Sequence, residues 1–208
     1  MTDPDPQAEQ PQLYLLSPPV IELSTFPDTL GQVLDAHAVA CIRLSLATRD
    51  EDTLARAADA CRVVAHARDV AIVITDHVGL AERLGLDGVH LMDAAKSVRD
   101  ARKLLGPDAI VGSNCGTSRH AGMSAGEAGA DYISFGPISG LPGESTPEDD
   151  LFAWWSEMIE VPCVAEGGLT AEHIARLAPV TDFFGIGDEI WTQDDPAGAL
   201  STLTAALK

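Results

Sequence analysis

The stretch VAIVITDHVGLAERLGLDGVHLMD, residues 70–93, decides the architecture. Two apolar, β-rich runs, VAIVITD from Val70 and GVHLMD from Gly88, bracket a helix-like segment. Strand, helix, strand is the unit that gives parallel neighbours, because a tight turn cannot join parallel strands and a crossover helix can. The first run is apolar at nearly every position, the composition of a strand covered on both faces.

The same alternation recurs in both directions from this unit. Upstream lie QLYLLS from Gln12 and ACIRLSL from Ala40. Downstream lie AIVGSNC from Ala109, DYISFGP from Asp131, PCVAEG from Pro162 and FFGIG from Phe183, which brings the candidate strands to eight. Between them, residues 50–67 place Leu54, Ala57, Cys61 and Val64 on one stripe at helical spacing. Val98, Ala101 and Leu105 repeat that pattern before Gly106 and Pro107, a helix stop. Thr146 followed by Pro147, and Asp195 followed by Pro196, read as N-caps with proline at the first helical position. Residues 117–129 carry Gly122 and Gly126, which lower helix propensity, yet a right-handed crossover has to fit there. The pattern predicts a single-domain (β/α)8 TIM barrel over residues 12–208, after a flexible N-terminal segment at 1–11. An open doubly wound sheet is the second choice, since no G-x-G-x-x-G follows the first strand, which runs into Pro18 and Pro19.

At 208 residues and 46% hydrophobic content, the chain suits one domain with a sizeable core. The formal net charge of -19 argues against nucleic acid and against anionic membranes, both of which require clustered Lys and Arg. The opening MTDPDPQAEQPQ has neither a basic start nor an apolar stretch, and no apolar run reaches spanning length, so a soluble cytoplasmic protein is expected. Cys41, Cys61, Cys115 and Cys163 lie far apart without metal spacing and read as reduced packing residues.

In such a barrel the C-terminal strand ends face the active site. The candidates there are Thr75 and Asp76, His90 to Asp93, Ser113 and Asn114, Gly136 and Pro137, Glu166 to Gly168, and Gly187 with Asp188. Glycines at the last two strand ends let backbone N–H groups approach a phosphate, with a plain tight turn as the competing explanation. His90 reads as a hydrogen-bonded packing histidine. Trp154 and Trp155 sit on the sixth helix. An exposed tryptophan there would mark a homodimer contact, and helix packing is the other reading.

Taken together, DGVHL at 87–91, GADYISFGPI at 129–138, VPCVAEGGLT at 161–170 and DFFGIGDEI at 182–190 resemble segments of the thiamine-phosphate synthase and thiazole tautomerase family, in order and at suitable spacing. The resemblance runs from Val70 to Ile190 and is looser in the N-terminal third. It implies a transferase of thiamine biosynthesis that joins hydroxymethylpyrimidine diphosphate to thiazole phosphate with Mg2+ and releases diphosphate. Its implied site has Asp76 and Asp93 at the metal and Asn114 at the pyrimidine. Gly136 and Pro137 match the family's GP after strand six, and Gly167, Gly168 and Gly187 hold the thiazole phosphate. Arg43, Ser45, Glu166 and Asp188 complete the expected set, Arg43 supplying charge.

The sequence departs from the family pattern where cations are concerned. The Gln-x-Arg-x-Lys of strand two falls on Arg43, Ser45 and Ala47, and the second metal aspartate falls on Ala95, leaving Asp93 nearest. The Thr-x-Thr-Lys loop is replaced by residues 139–146 with Glu144 and no lysine, and that loop, with Gly140, Pro142 and Gly143, is expected to be mobile. The tautomerase histidine falls on Gly116. Losing one contact to developing charge typically costs ~3 kcal/mol, and like charges at about 4 Å cost on the order of 4 kcal/mol near a surface. Asp76, Asp93, Glu166 and Asp188 would form an acidic ring suited to a divalent metal or a cationic ligand. Two alternatives therefore stand beside the transferase. One is a catalytically degenerate or regulatory barrel that binds a small-molecule thiazole or pyrimidine ligand. The other is an isomerase acting on a less anionic member of those classes.

Overall fold

The computed structural model describes residues 10–140 and 145–207. All eight predicted strands form: β1 (Gln12–Leu16), β2 (Val39–Leu44), β3 (Ala71–Thr75), β4 (Gly88–Leu91), β5 (Ile110–Asn114), β6 (Tyr132–Phe135), β7 (Cys163–Glu166) and β8 (Phe183–Ile186). They are parallel and close into a barrel in chain order, with β8 pairing back onto β1. The helices are α1 (Phe26–Ala36), α2 (Glu51–His66), α3 (Val78–Leu84), α4 (Val98–Leu105), α5 (Arg119–Ala128), α6 (Asp149–Met158), α7 (Ala171–Leu177), a single turn α8 (Asp188–Trp191) and α9 (Pro196–Leu203). Most of the flexible segment expected at 1–11, and the middle of the loop at 139–146, including Pro142, Gly143 and Glu144, lie outside the described residues.

Two apolar layers explain why the strands read as continuous runs. Tyr14, Cys41, Val73, Tyr132 and Val164 fill the barrel interior. Their neighbours one position along, Leu15, Ile42, Ile72, Ile133 and Ala165, point outward into the core shared with the helices. All four cysteines are buried and unbridged.

The bottom of the barrel is tied by a device that recurs on alternate strands. Asp87, Asp131 and Asp182 each stand one residue before β4, β6 and β8. Their carboxylates accept the N–H of Ile72, Val111 and Cys163 at 2.7, 2.7 and 2.8 Å, while their own N–H groups donate to the carbonyls of the same three residues. Each aspartate thus closes a two-way clip onto the preceding strand at an equivalent register. Arg102 reaches Asp131 from α4 and ties the second clip to the helical layer.

Two helix starts show the expected capping chemistry and one does not. Asp50 caps α2 through Thr53 N–H, and Asp195 caps α9 through Gly198 N–H with Pro196 behind it. The helix expected from Thr146 starts instead at Asp149, and its capping residue, Glu148, makes no side-chain cap bond. Helix α5 forms despite its glycines because Gly122 serves packing. A Cβ there would lie 2.7 Å from the Trp155 ring, so the missing side chain lets α5 and α6 approach. Trp155 is 1% exposed and donates to Val161 O at 2.7 Å, while Trp154 is half-buried under the Arg119 guanidinium. Neither tryptophan is the exposed contact that would mark a dimer.

Candidate functional site

Glu166 ends β7 and shares the inward face of Val164, two residues earlier. Space for it comes from a neighbour, since a Cβ on Gly185 of β8 would lie 2.7 Å from the Glu166 Cβ. Arg43, inward on β2, meets it across the barrel at 3.0 Å, and the two residues are only 3% and 7% exposed. The other carboxylate oxygen accepts Ser134 Oγ–H at 3.1 Å and Asn114 Nδ2–H at 3.2 Å. Burial draws the Arg43 pKa down, but the adjacent Glu166 carboxylate, together with Tyr14 and Tyr132, outweighs it and the guanidinium is held charged. Removing one partner of such a buried pair strands the other, at a typical cost of about 3–5 kcal/mol. Sequence reasoning placed Arg43 and Glu166 in the site separately; the structure makes them one neutral unit.

Beneath this pair runs a chain of hydrogen bonds. Tyr14 Oη lies 2.6 Å from Tyr132 Oη, which lies 3.0 Å from His90 Nδ1. Burial, and then the Arg43 charge, keep His90 well below its usual pKa, and burial lifts the Tyr14 hydroxyl well above its own. Burial likewise pushes the Cys41 thiol up to about 12, which leaves it protonated and without nucleophilic character. His90 is the packing histidine the sequence suggested, bonded through one ring nitrogen.

At the ends of β7 and β8 the backbone forms an anion cup. Gly167 and Gly168 turn the chain with φ of 88° and 68°. The next N–H, from Leu169, converges with that of Gly187, and α8 follows at once. In TIM barrels, loops after strands seven and eight with a short extra helix commonly form a phosphate site. Here both donors hold a carboxylate of the chain itself: Leu169 N–H donates to Glu189 Oε1 at 2.9 Å and Gly187 N–H to Oε2 at 2.7 Å. Glu189 was not among the residues singled out from the sequence. Its signal was present, an acid two positions past the glycine expected to bind phosphate. Asp188, its predicted neighbour, is exposed. A cavity of about 300 Å³ opens over the cup, lined by Leu16, Ser45, Gly167, Gly168, Gly187 and Asp188. Gly136 and Pro137 follow β6, with Gly136 N–H donating to Gly116 O.

The other expected acids are engaged by different donors. Asp76 has φ of 61° and accepts Met92 N–H through Oδ1 at 2.8 Å, bracing the ends of β3 and β4. Asp93 accepts Ser97 Oγ–H at 2.6 Å, ahead of α4. Among the described residues no three His, Cys, Asp or Glu side chains gather as a metal site, so the acidic ring of four is not assembled. Two cations at the mouth had gone unnoticed in the sequence. Arg49 joins Thr75, Asp76 and His77 around a cavity of about 260 Å³. Arg119 lines another of about 450 Å³ with Thr117 and Thr146, and is paired with Asp150.

A family model described as thiamine monophosphate synthase matches residues 13–182. The thiamine-phosphate synthase of Rhodospirillum centenum is 40% identical over 202 residues, covering 95% of this chain and 98% of that protein. That of Hyphomonas neptunium is 38% identical over 218 residues, covering 100% and 99%. Among solved structures, a thiamine phosphate pyrophosphorylase from Pyrococcus furiosus superposes with a TM-score of 0.81 at 19% identity, covering 94% of this chain and 95% of that one, a likeness of fold.

Proposed function

The chain belongs to the thiamine monophosphate synthase family, and from that premise we propose that it works in thiamine biosynthesis as the transferase, joining hydroxymethylpyrimidine diphosphate to thiazole phosphate and releasing diphosphate. The observation that carries this reading is kinship at 40% identity across 98% of a thiamine-phosphate synthase. That extent of likeness favours the transferase over the degenerate-barrel and isomerase readings.

The thiazole phosphate is assigned to the cup of Leu169 and Gly187 N–H groups, a pair of fixed donors suited to a tetrahedral anion. The pyrimidine is assigned to the space over Asn114 and Glu166, whose amide and carboxylate match the donors and acceptors of an aminopyrimidine edge. Magnesium fits the mouth through a single carboxylate: Asp76 spends only Oδ1 on the backbone, and this ion is commonly held by one or two carboxylates plus substrate phosphates. Bound there, it would supply positive charge to the departing diphosphate. Arg49, beside Asp76, adds the chain's own positive charge at the mouth, a task Arg43, neutralised by Glu166, cannot perform alone.

The test is to incubate the protein with the pyrimidine diphosphate, thiazole phosphate and Mg2+, and to follow thiamine phosphate. Product that disappears with a chelator and falls about 10²-fold in kcat/KM with Arg49→Ala is expected. No product above background sinks the transferase reading.

A further inference from the structure

The cup at the ends of β7 and β8 already grips an anion, and that anion is the carboxylate of Glu189. Both oxygens are used, each on a different donor: one belongs to the turn after β7, twenty residues back in sequence, the other to the end of β8. Bonds of an ionised carboxylate to backbone N–H groups are among the stronger hydrogen bonds in proteins. A side chain in this position is a competitor at very high effective concentration for any phosphate that needs the same two donors. The surroundings do not reward a second anion beside it, because Asp188 lines the same cavity and Arg43, the nearest buried cation on the barrel axis, is already paired with Glu166.

We propose that Glu189 is a specificity-determining residue that occupies the phosphate cup as an internal mimic, so that the phosphate of thiazole phosphate binds only by displacing it. The inference rests on the transferase reading for the identity of the ligand and on the cup geometry for the rest. Glu189 therefore weakens the phosphorylated thiazole selectively and leaves the unphosphorylated thiazole alcohol untouched. The chain consequently discriminates between the two far less than an open cup would.

Calorimetric titration of thiazole phosphate, thiazole alcohol and inorganic phosphate into wild type, Glu189→Ala and Glu189→Gln reads this directly, with thermal melting to confirm that each variant is folded. The expected result is thiazole phosphate bound at least tenfold more tightly by Glu189→Ala, a smaller gain in Glu189→Gln, a matching gain for inorganic phosphate, and alcohol affinity unchanged within twofold. Glu189→Gln keeps the shape and one acceptor, so it carries the test should the alanine variant not fold. Unchanged phosphate affinity in the folded variants, or equal loss for phosphate and alcohol, would overturn the proposal and make Glu189 a structural clip. Binding is read without turnover, so a chain that formed no thiamine phosphate would sink the transferase while leaving the Glu189 result to stand or fall by itself.

Discussion

His90 has no exposure to solvent, and its one bonded nitrogen faces Tyr132 while the Arg43 charge acts on it from β2. Those surroundings reject a proton. The unfolded chain accepts one below about pH 6.5, so the stability owed to neutral His90 is complete above that pH and is lost as pH falls below it, by up to about 1.4 kcal/mol per unit. Urea unfolding of wild type and His90→Phe at pH 6.5 and 5.0 should show wild type losing about 2 kcal/mol more than the variant; equal losses would refute the assignment. The same lesson holds at Glu166. An acid after β7 was legible as a site residue, but its partner was not, because Arg43 lies more than a hundred positions earlier and only closure of the barrel brings the two together.

The elements were the most legible part of the chain, since near-continuous apolar runs and helical stripes record burial on two faces or one. What escaped were features whose reason is a neighbouring element. Gly122 reads as a helix weakness and proves to be the point where α5 meets Trp155. Thr146 and Pro147 read as a helix start, yet α6 begins at Asp149, where packing of Leu151, Phe152 and Trp155 sets in. The clips made by Asp87, Asp131 and Asp182 could have been found as an aspartate recurring just before alternate strands. Asp131→Ala should cost about 1–3 kcal/mol in chemical denaturation, since it leaves the Val111 N–H without its acceptor, and should leave ligand affinities alone because the clip sits at the end of the barrel opposite the site. A change below 0.5 kcal/mol would mean that the clip is replaceable by water.

The molecule as a whole carries a net charge of -19, and self-repulsion of that size is screened as the Debye length shrinks from about 30 Å at 0.01 M salt to about 8 Å at 0.15 M. Calorimetry across that range should show Tm rising with salt, each kcal/mol appearing as roughly 2–4 °C for a chain of this size; a flat response would mean that the charges are balanced locally. No helix among the described residues is long and apolar enough to cross a membrane. The sequence by itself determined the barrel and its strand order, because periodicity and burial are written locally along the chain. Only the tertiary structure decided the electrostatics of that site. Arg43 is neutralised by Glu166, Asp76 and Asp93 are held by different donors, and Glu189 fills the anion cup, since Coulombic and hydrogen-bond energies depend on distances between residues that closure of the barrel alone sets.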